Sequence, residues 1–333
     1  AQHLFKKNKD YLVQAGKVRY QSLFLQDEIM SGDSLIITPG LRYDTWKVYD
    51  GESLTASGTT LVPADPANYP MPSRSKSKVS PKIGFLFKPG GDVNWRLNYG
   101  QAFNPPGTYD LFGTWTASSG SIYRSNSALK PETNTAWDLG FDFIPDNKRF
   151  SCRATYFRNT LKNAINNITI SAGPPAIYQK ENFGKVVIQG LELEAAYQFN
   201  NRLRANFNLT NQGSKVKDAP DPTIIGREYS QNPNLIYNIG LDYKIPLESG
   251  NSIAASLNWN HRDKVHTQED NSDNHDHVYG EYEEYDLLDF SIAYKWRKDK
   301  EFFINIDNLL DEDYYQYYLA PGRTLTAGMK LDF

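Results

Sequence analysis

Apolar and polar side chains alternate one by one along much of this chain. At its C-terminal end Leu325, Ala327, Met329, Leu331 and Phe333 alternate with Thr324, Thr326, Gly328, Lys330 and Asp332. Ile253, Ala255, Leu257 and Trp259 alternate with Ser252, Ala254, Ser256, Asn258 and Asn260. Stretches 203–210 and 136–143 do the same. A period of two is a β-strand with one apolar face. Thirteen such strands are predicted, near 17–30, 33–44, 79–88, 92–103, 132–144, 148–160, 184–199, 202–213, 234–245, 250–261, 282–296, 300–307 and 322–333. Pro39 and Gly40 fall inside one of them; proline removes a ladder donor, so a bulge or disturbed edge is expected there.

The connections alternate in length. Short ones lie at 30–33, 88–92, 145–148, 200–201, 246–250 and 297–300; long ones at 45–78, 104–131, 161–183, 214–233, 262–281 and 308–321. Short turns at one end and long loops at the other are the plan of a bacterial outer-membrane barrel, an all-β transmembrane antiparallel fold. A propeller needs a repeat of about 40–50 residues, and none is present. A sandwich buries its apolar face, whereas here that face is thick with Trp, Tyr and Phe near strand ends.

Composition sharpens this. Aromatic residues make up 14% of the 333 residues, with 22 Tyr, 17 Phe and 6 Trp; such rings suit membrane–water interfaces. No apolar run reaches the length of a membrane helix. A net charge of -3 gives no support for nucleic-acid binding. A single cysteine, Cys152, excludes an intramolecular disulfide and a multi-cysteine metal site; it falls on an apolar row and reads as a small lipid-facing side chain. The start, Ala1-Gln2-His3-Leu4-Phe5-Lys6, has no signal-peptide pattern. Nucleophile–base spacings, phosphate loops and zinc motifs are absent, so no enzyme is indicated.

Particular residues resemble a known family. Gln26-Asp27-Glu28-Ile29 with Ile37 to Asp44, Ser80-Pro81-Lys82-Ile83-Gly84, and Tyr99 to Pro106 look like consecutive barrel strands of TonB-dependent outer-membrane receptors. Leu129-Lys130-Pro131-Glu132-Thr133 matches an "LKPE" strand start, and Gly190-Leu191-Glu192 a "G-hydrophobic-E" strand. Asp307 to Tyr314, then Pro321-Gly322-Arg323 and terminal Phe333, match the family's closing signature, with Phe333 as the assembly signal read by the barrel-assembly machinery. The resemblance implies a 22-stranded plugged barrel in the bacterial outer membrane, of which 1–333 would be the C-terminal portion. Residues 1–16 would be the remnant of an extracellular loop, with the N-terminal plug and first strands absent. It also implies active uptake of an iron complex, ferric siderophore or haem, driven by the TonB energy-transducing complex through the plug. No tightly bound cofactor is implied, and an extracellular or lipoprotein partner is open. Zinc, copper, cobalamin or an oligosaccharide as cargo, or a passive pore, are the alternatives.

Arg96, Arg153, Glu192, Glu194 and Arg204 lie on polar rows and are expected to face the lumen or plug, since Lys or Arg in lipid costs about 2–4 kcal/mol at mid-membrane. Ligand chemistry belongs in the long loops. Loop 104–131 carries Tyr109, Asp110, Phe112, Trp115, Tyr123 and Arg124, a set suited to a planar or anionic iron complex by stacking and charge. Haem receptors of the family carry FRAP and NPxL motifs with a histidine between. Here Ala102-Phe103-Asn104-Pro105-Pro106 and Asn126-Ser127-Ala128-Leu129 stand at those places, with no histidine between. That counts against the usual haem ligation from this loop, while a tyrosinate from Tyr109 or Tyr123 could still bind iron. Loop 261–286 holds His261, His266, His275 and His277 among carboxylates; His275 and His277 form a candidate metal pair. Tyr314, Tyr315, Tyr317 and Tyr318 read as interface anchors.

Overall fold

The computed structural model describes residues 2–7, 10–57, 60–63, 71–147, 149–182, 184–297 and 299–331. Thirteen long strands form one antiparallel ladder in chain order: Asp10–Gln26, Leu35–Ser57, Arg74–Phe87, Val93–Asn104, Glu132–Phe143, Phe150–Lys162, Lys185–Gln198, Leu203–Asp218, Leu235–Pro246, Ser252–Arg262, Tyr285–Trp296, Lys300–Asp307 and Thr324–Leu331. The predicted number, order and alternation of short and long connections hold. Phe333 lies outside the described residues.

Cross-strand register carries the sequence alternation around the wall. Gln198, Arg204, Asp242, Ser256, Ser291, Asn305 and Thr326 are successive partners across seven strands. One residue over, Tyr197, Ala205, Leu241, Leu257, Phe290, Ile306 and Leu325 are partners in the same way. Adjacent residues point to opposite faces of a sheet, so one face is a polar row and the other an apolar one. The apolar face is not packed in a dry interior: Leu241 is 42% and Leu325 68% exposed. A wide apolar surface without a protein partner is what lipid covers. Cys152 pairs with Phe143 and Ala195 on that apolar side. No described helix is long and apolar enough to cross a membrane.

Three expectations change. Residues 2–15, expected within a loop, form an antiparallel hairpin of Gln2–Lys7 with Asp10 to Ala15. Much of 45–78 is strand, because Leu35–Ser57 and Arg74–Phe87 stay paired well past the predicted edge. Above the lipid the outer face meets water, so the ladder continues while the two-residue pattern that marked it fades. Pro39 causes no register shift with Arg74–Phe87. The disturbance lies in the facing strand: the Pro39 carbonyl accepts from Asp27 N at 3.1 Å, and pairing breaks at 27–28, where Pro39 has no N–H to return.

Buried apolar clusters sit in the loops. Trp46 and Val48, on the extension of their strand, pack with Leu111, Phe112 and Leu129. A second cluster joins Ala164, Val186, Val216 and Ile224.

Candidate functional site

The five charged residues expected to face the lumen, Arg96, Arg153, Glu192, Glu194 and Arg204, share the polar face of the wall. Asp142, almost buried, sits between two guanidinium groups, with Arg96 Nε at 3.1 Å and Arg153 Nε at 2.8 Å. Arg96 also donates to Thr155 Oγ1 at 3.1 Å, and Arg153 reaches Glu194 at 3.9 Å. Glu192 lies opposite Thr155, and Arg204 opposite Asp242. Asp242 accepts from Ser256 at 2.7 Å. Arg96, Asp142, Arg153 and Thr155 thus form one bonded group along the wall.

Loop 104–131 folds against the wall through a short helix, Thr108–Phe112, that starts where the Asp110 carboxylate accepts from Gly107 N at 3.2 Å. Leu111 and Phe112 are its buried side. Phe112, grouped by sequence with the ligand-contacting aromatics, is therefore core. Its ring occupies the space a Cβ would take at Gly16 and at Gly51. Glu132 ties the loop base together, accepting from Ile165 N at 2.8 Å and Asn104 Nδ2 at 2.7 Å.

Beyond the helix the loops form a small sheet of Trp115–Thr116, Ile122–Arg124, Ile177–Asn182 and Ile165–Ser171. Register sets Trp115 opposite Tyr123 and Tyr123 beside Tyr178. The three rings stack, with centroids 4.4 and 4.8 Å apart and planes 5° and 21° off parallel. Tyr109, Trp115, Tyr123 and Arg124 line one cleft of about 220 Å³ with Asp110, Asn167 and Lys180. The predicted set is thus brought together. Tyr178 and Lys180 were not foreseen: they join through parallel pairing of segments more than fifty residues apart, which leaves no local signal. Lys180 Nζ lies 3.7 Å from Asp110. Burial raises the Tyr109 phenol pKa, helped by the Asp110 charge. Burial also raises that of Tyr123, with Tyr178 and Tyr317 adding to it. Both phenols hold their protons more tightly than in water.

In loop 263–284 the histidines diverge. His275 Nε2 faces His266 Nδ1 at 3.2 Å, beside the fully buried Asp273 carboxylate. His277 turns away, mostly exposed, with Nδ1 at 3.6 Å from Glu283 and its backbone N–H donated to Glu283. His261 stands on its wall strand, 3.1 Å from Asp286. Glu283 also accepts from Tyr315 N at 2.7 Å, fastening the tyrosine loop. Tyr317 and Tyr318 pack on Tyr279 with centroids 5.7 and 5.6 Å away.

Glu269 joins three loops, accepting from Ser230 Oγ at 2.8 Å and from Asn166 Nδ2. Burial is the largest effect on its carboxyl and raises the pKa above the ordinary 4.5, against those two hydrogen bonds. A raised carboxyl stabilises the packed state fully below the unpacked value, and this is lost as pH rises through the packed one. Amide protection in 219–234 and 263–284 is accordingly expected to fall as pH rises above the ordinary carboxylate range, and Glu269→Gln to flatten the dependence. Unchanged pH dependence in that variant assigns the effect elsewhere.

The chain matches the family described as TonB dependent receptor-like, beta-barrel, over residues 6–309. It is 26% identical to the probable TonB-dependent receptor BfrD of Bordetella pertussis over 94% of its length, and 24% identical to the ferric enterobactin receptor of Pseudomonas aeruginosa over 96%. It spans 40% and 43% of those relatives. Among solved structures, the copper transporter OprC superposes with a TM-score of 0.74 at 17% identity, over all of this chain and 56% of that one. The ferric-catecholate import receptor Fiu of Escherichia coli K12 gives 0.71 at 19%, over 98% and 46%. With the ladder, its two-faced register and the ordered motifs, this match over most of the chain shows that the protein belongs to the TonB-dependent receptor β-barrel family of the Gram-negative outer membrane.

Proposed function

We propose that this chain is the C-terminal wall of an outer-membrane receptor that takes up a ferric siderophore of aromatic, anionic type. The observation that carries the reading is the stacked Trp115 and Tyr123 rings, backed by Tyr178, in one cleft with Lys180 and Arg124. Flat rings offer faces to an aromatic ligand, and the two cations complement its negative charge. A siderophore saturates its iron, so it asks no ligand of the protein. Haem asks for an axial histidine or tyrosinate; no histidine lines this cleft, and one of its two tyrosines, Tyr123, is stacked between two other rings. This favours the siderophore over haem. Energy would come from the TonB complex acting through a plug held by the polar inner wall, with the remaining wall strands and plug supplied outside residues 1–333. Lipid and the barrel-assembly machinery would be its membrane partners.

Titrating the full-length receptor with ferric enterobactin and with haem, read by tryptophan fluorescence, tests this. Ferric enterobactin is expected to bind the more tightly. Trp115→Ala and Tyr123→Ala are each expected to weaken it roughly tenfold, as one lost ring contact of about 1–1.5 kcal/mol implies. Tighter haem binding, or affinity untouched by either variant, rejects the reading.

A further inference from the structure

We propose that His266, Asp273 and His275 form a binding site for a divalent transition-metal ion of the zinc class, separate from the aromatic cleft. The three facing atoms are His266 Nδ1, His275 Nε2 and Asp273 Oδ2, each able to give one ligand atom. They stand 3.2, 3.9 and 3.9 Å apart. The centre of such a triangle lies about 2.1 Å from every corner, the length of a zinc–imidazole or zinc–carboxylate bond. Two imidazoles and a carboxylate suit zinc, copper(II) or nickel; calcium and magnesium ask for oxygen shells.

The ligands are also held in place. The side chain of Asp273 is fully buried and that of His275 is 9% exposed. Asp273 accepts from Gln268 N at 3.1 Å and from Thr267 N, so its carboxylate cannot swing away. On the far side of His266, Nε2 lies 3.9 Å from Glu228, an arrangement that orients a metal-bound imidazole from behind. His275 Nδ1 is buried without a hydrogen-bond partner, and its Nε2 side faces His266. Asp273 and His275 also line a cavity of about 460 Å³ whose other walls include Asp276, Glu283, Glu284, Glu312 and Asp313. A surface so acidic draws cations and repels anionic siderophores, and water there can supply a fourth ligand. An ion at this point would tie residue 266, beside the 219–234 loop, to the turn at 273–275.

The test is calorimetric titration of the metal-stripped, full-length receptor in detergent with zinc chloride. One zinc per receptor is expected. His266→Ala and His275→Ala are each expected to weaken binding tenfold or more, since even outer-shell partners of bound metals are worth about 10–100-fold. His277→Ala is expected to leave it unchanged. Should alanine at 275 unfold the loop, His275→Cys decides: it restores binding, and cobalt(II) then shows a thiolate charge-transfer band. The proposal is overturned by a wild-type receptor that takes up no zinc, by His277→Ala weakening zinc as much as His275→Ala, or by a cysteine variant without the thiolate band. None of these outcomes bears on siderophore binding, so this site and the aromatic cleft stand or fall separately.

Discussion

Leu241→Arg is expected to reduce sharply the amount of folded receptor in the outer membrane, whereas Ser256→Arg leaves it close to wild type. Leu241 is an exposed residue on the apolar row, between Tyr237 and Tyr243 of the same strand and opposite Ala205 and Leu257. The outer row of this strand runs from Tyr237 through Ile239, Leu241 and Tyr243 to Ile245, which places Leu241 inside the lipid-facing band. An arginine there costs about 2–4 kcal/mol, a large share of the 5–15 kcal/mol that separates a typical folded protein from its unfolded chain. Ser256 faces the opposite way and bonds Asp242 at 2.7 Å. An arginine there meets water and a carboxylate, and surface ion pairs change stability by about 0–1 kcal/mol. Heat-dependent gel migration and membrane yield measure both. Equal damage from the two arginines would mean that the faces are wrongly assigned.

Phe112→Ala is expected to cost about 3 kcal/mol of loop packing and to lower siderophore affinity while the wall still assembles. The ring is 3% exposed and sits in the cluster that holds loop 104–131 to Trp46 and Val48. Truncating a buried phenylalanine costs about 3–5 kcal/mol, and the low end fits a cluster this small. The stacked rings stand on the segment that follows, so they lose their footing, but the ladder hydrogen bonds do not pass through Phe112. Hydrogen exchange is expected to rise across 105–131 and stay constant in the wall strands. Gly16→Val provides an independent check, since its side chain would overlap the Phe112 ring. Each single variant is expected to be harmful, and the pair less harmful than their sum, because the alanine vacates the space the valine needs. Additive losses, or unchanged affinity in Phe112→Ala, would separate this cluster from the cleft.

The wall was legible because each of its residues meets one of two solvents, lipid or water, in strict alternation. That is why Arg96, Arg153, Glu192, Glu194 and Arg204 could be assigned to one face from parity alone. The pattern stopped being informative where the lipid stops. Residues 45–57 remain in a strand, yet Trp46 and Val48 turn inward to a loop, reversing the membrane rule. Phe112 has the same composition signal as Trp115 and Tyr123, and only packing separates the buried ring from the exposed Trp115 and the half-buried Tyr123.

Sequence also suggested His275 with His277, because the two are neighbours along the chain. His277 instead adopts a positive φ of 51°, sends its N–H to Glu283, and leaves His275 to face His266 from nine residues away. Alternating polarity therefore determined the strands and their faces from sequence alone, and the ordered motifs carried the resemblance to the family. The tertiary structure decided what the loops do, because contacts between residues distant along the chain are set by packing and leave no periodic trace.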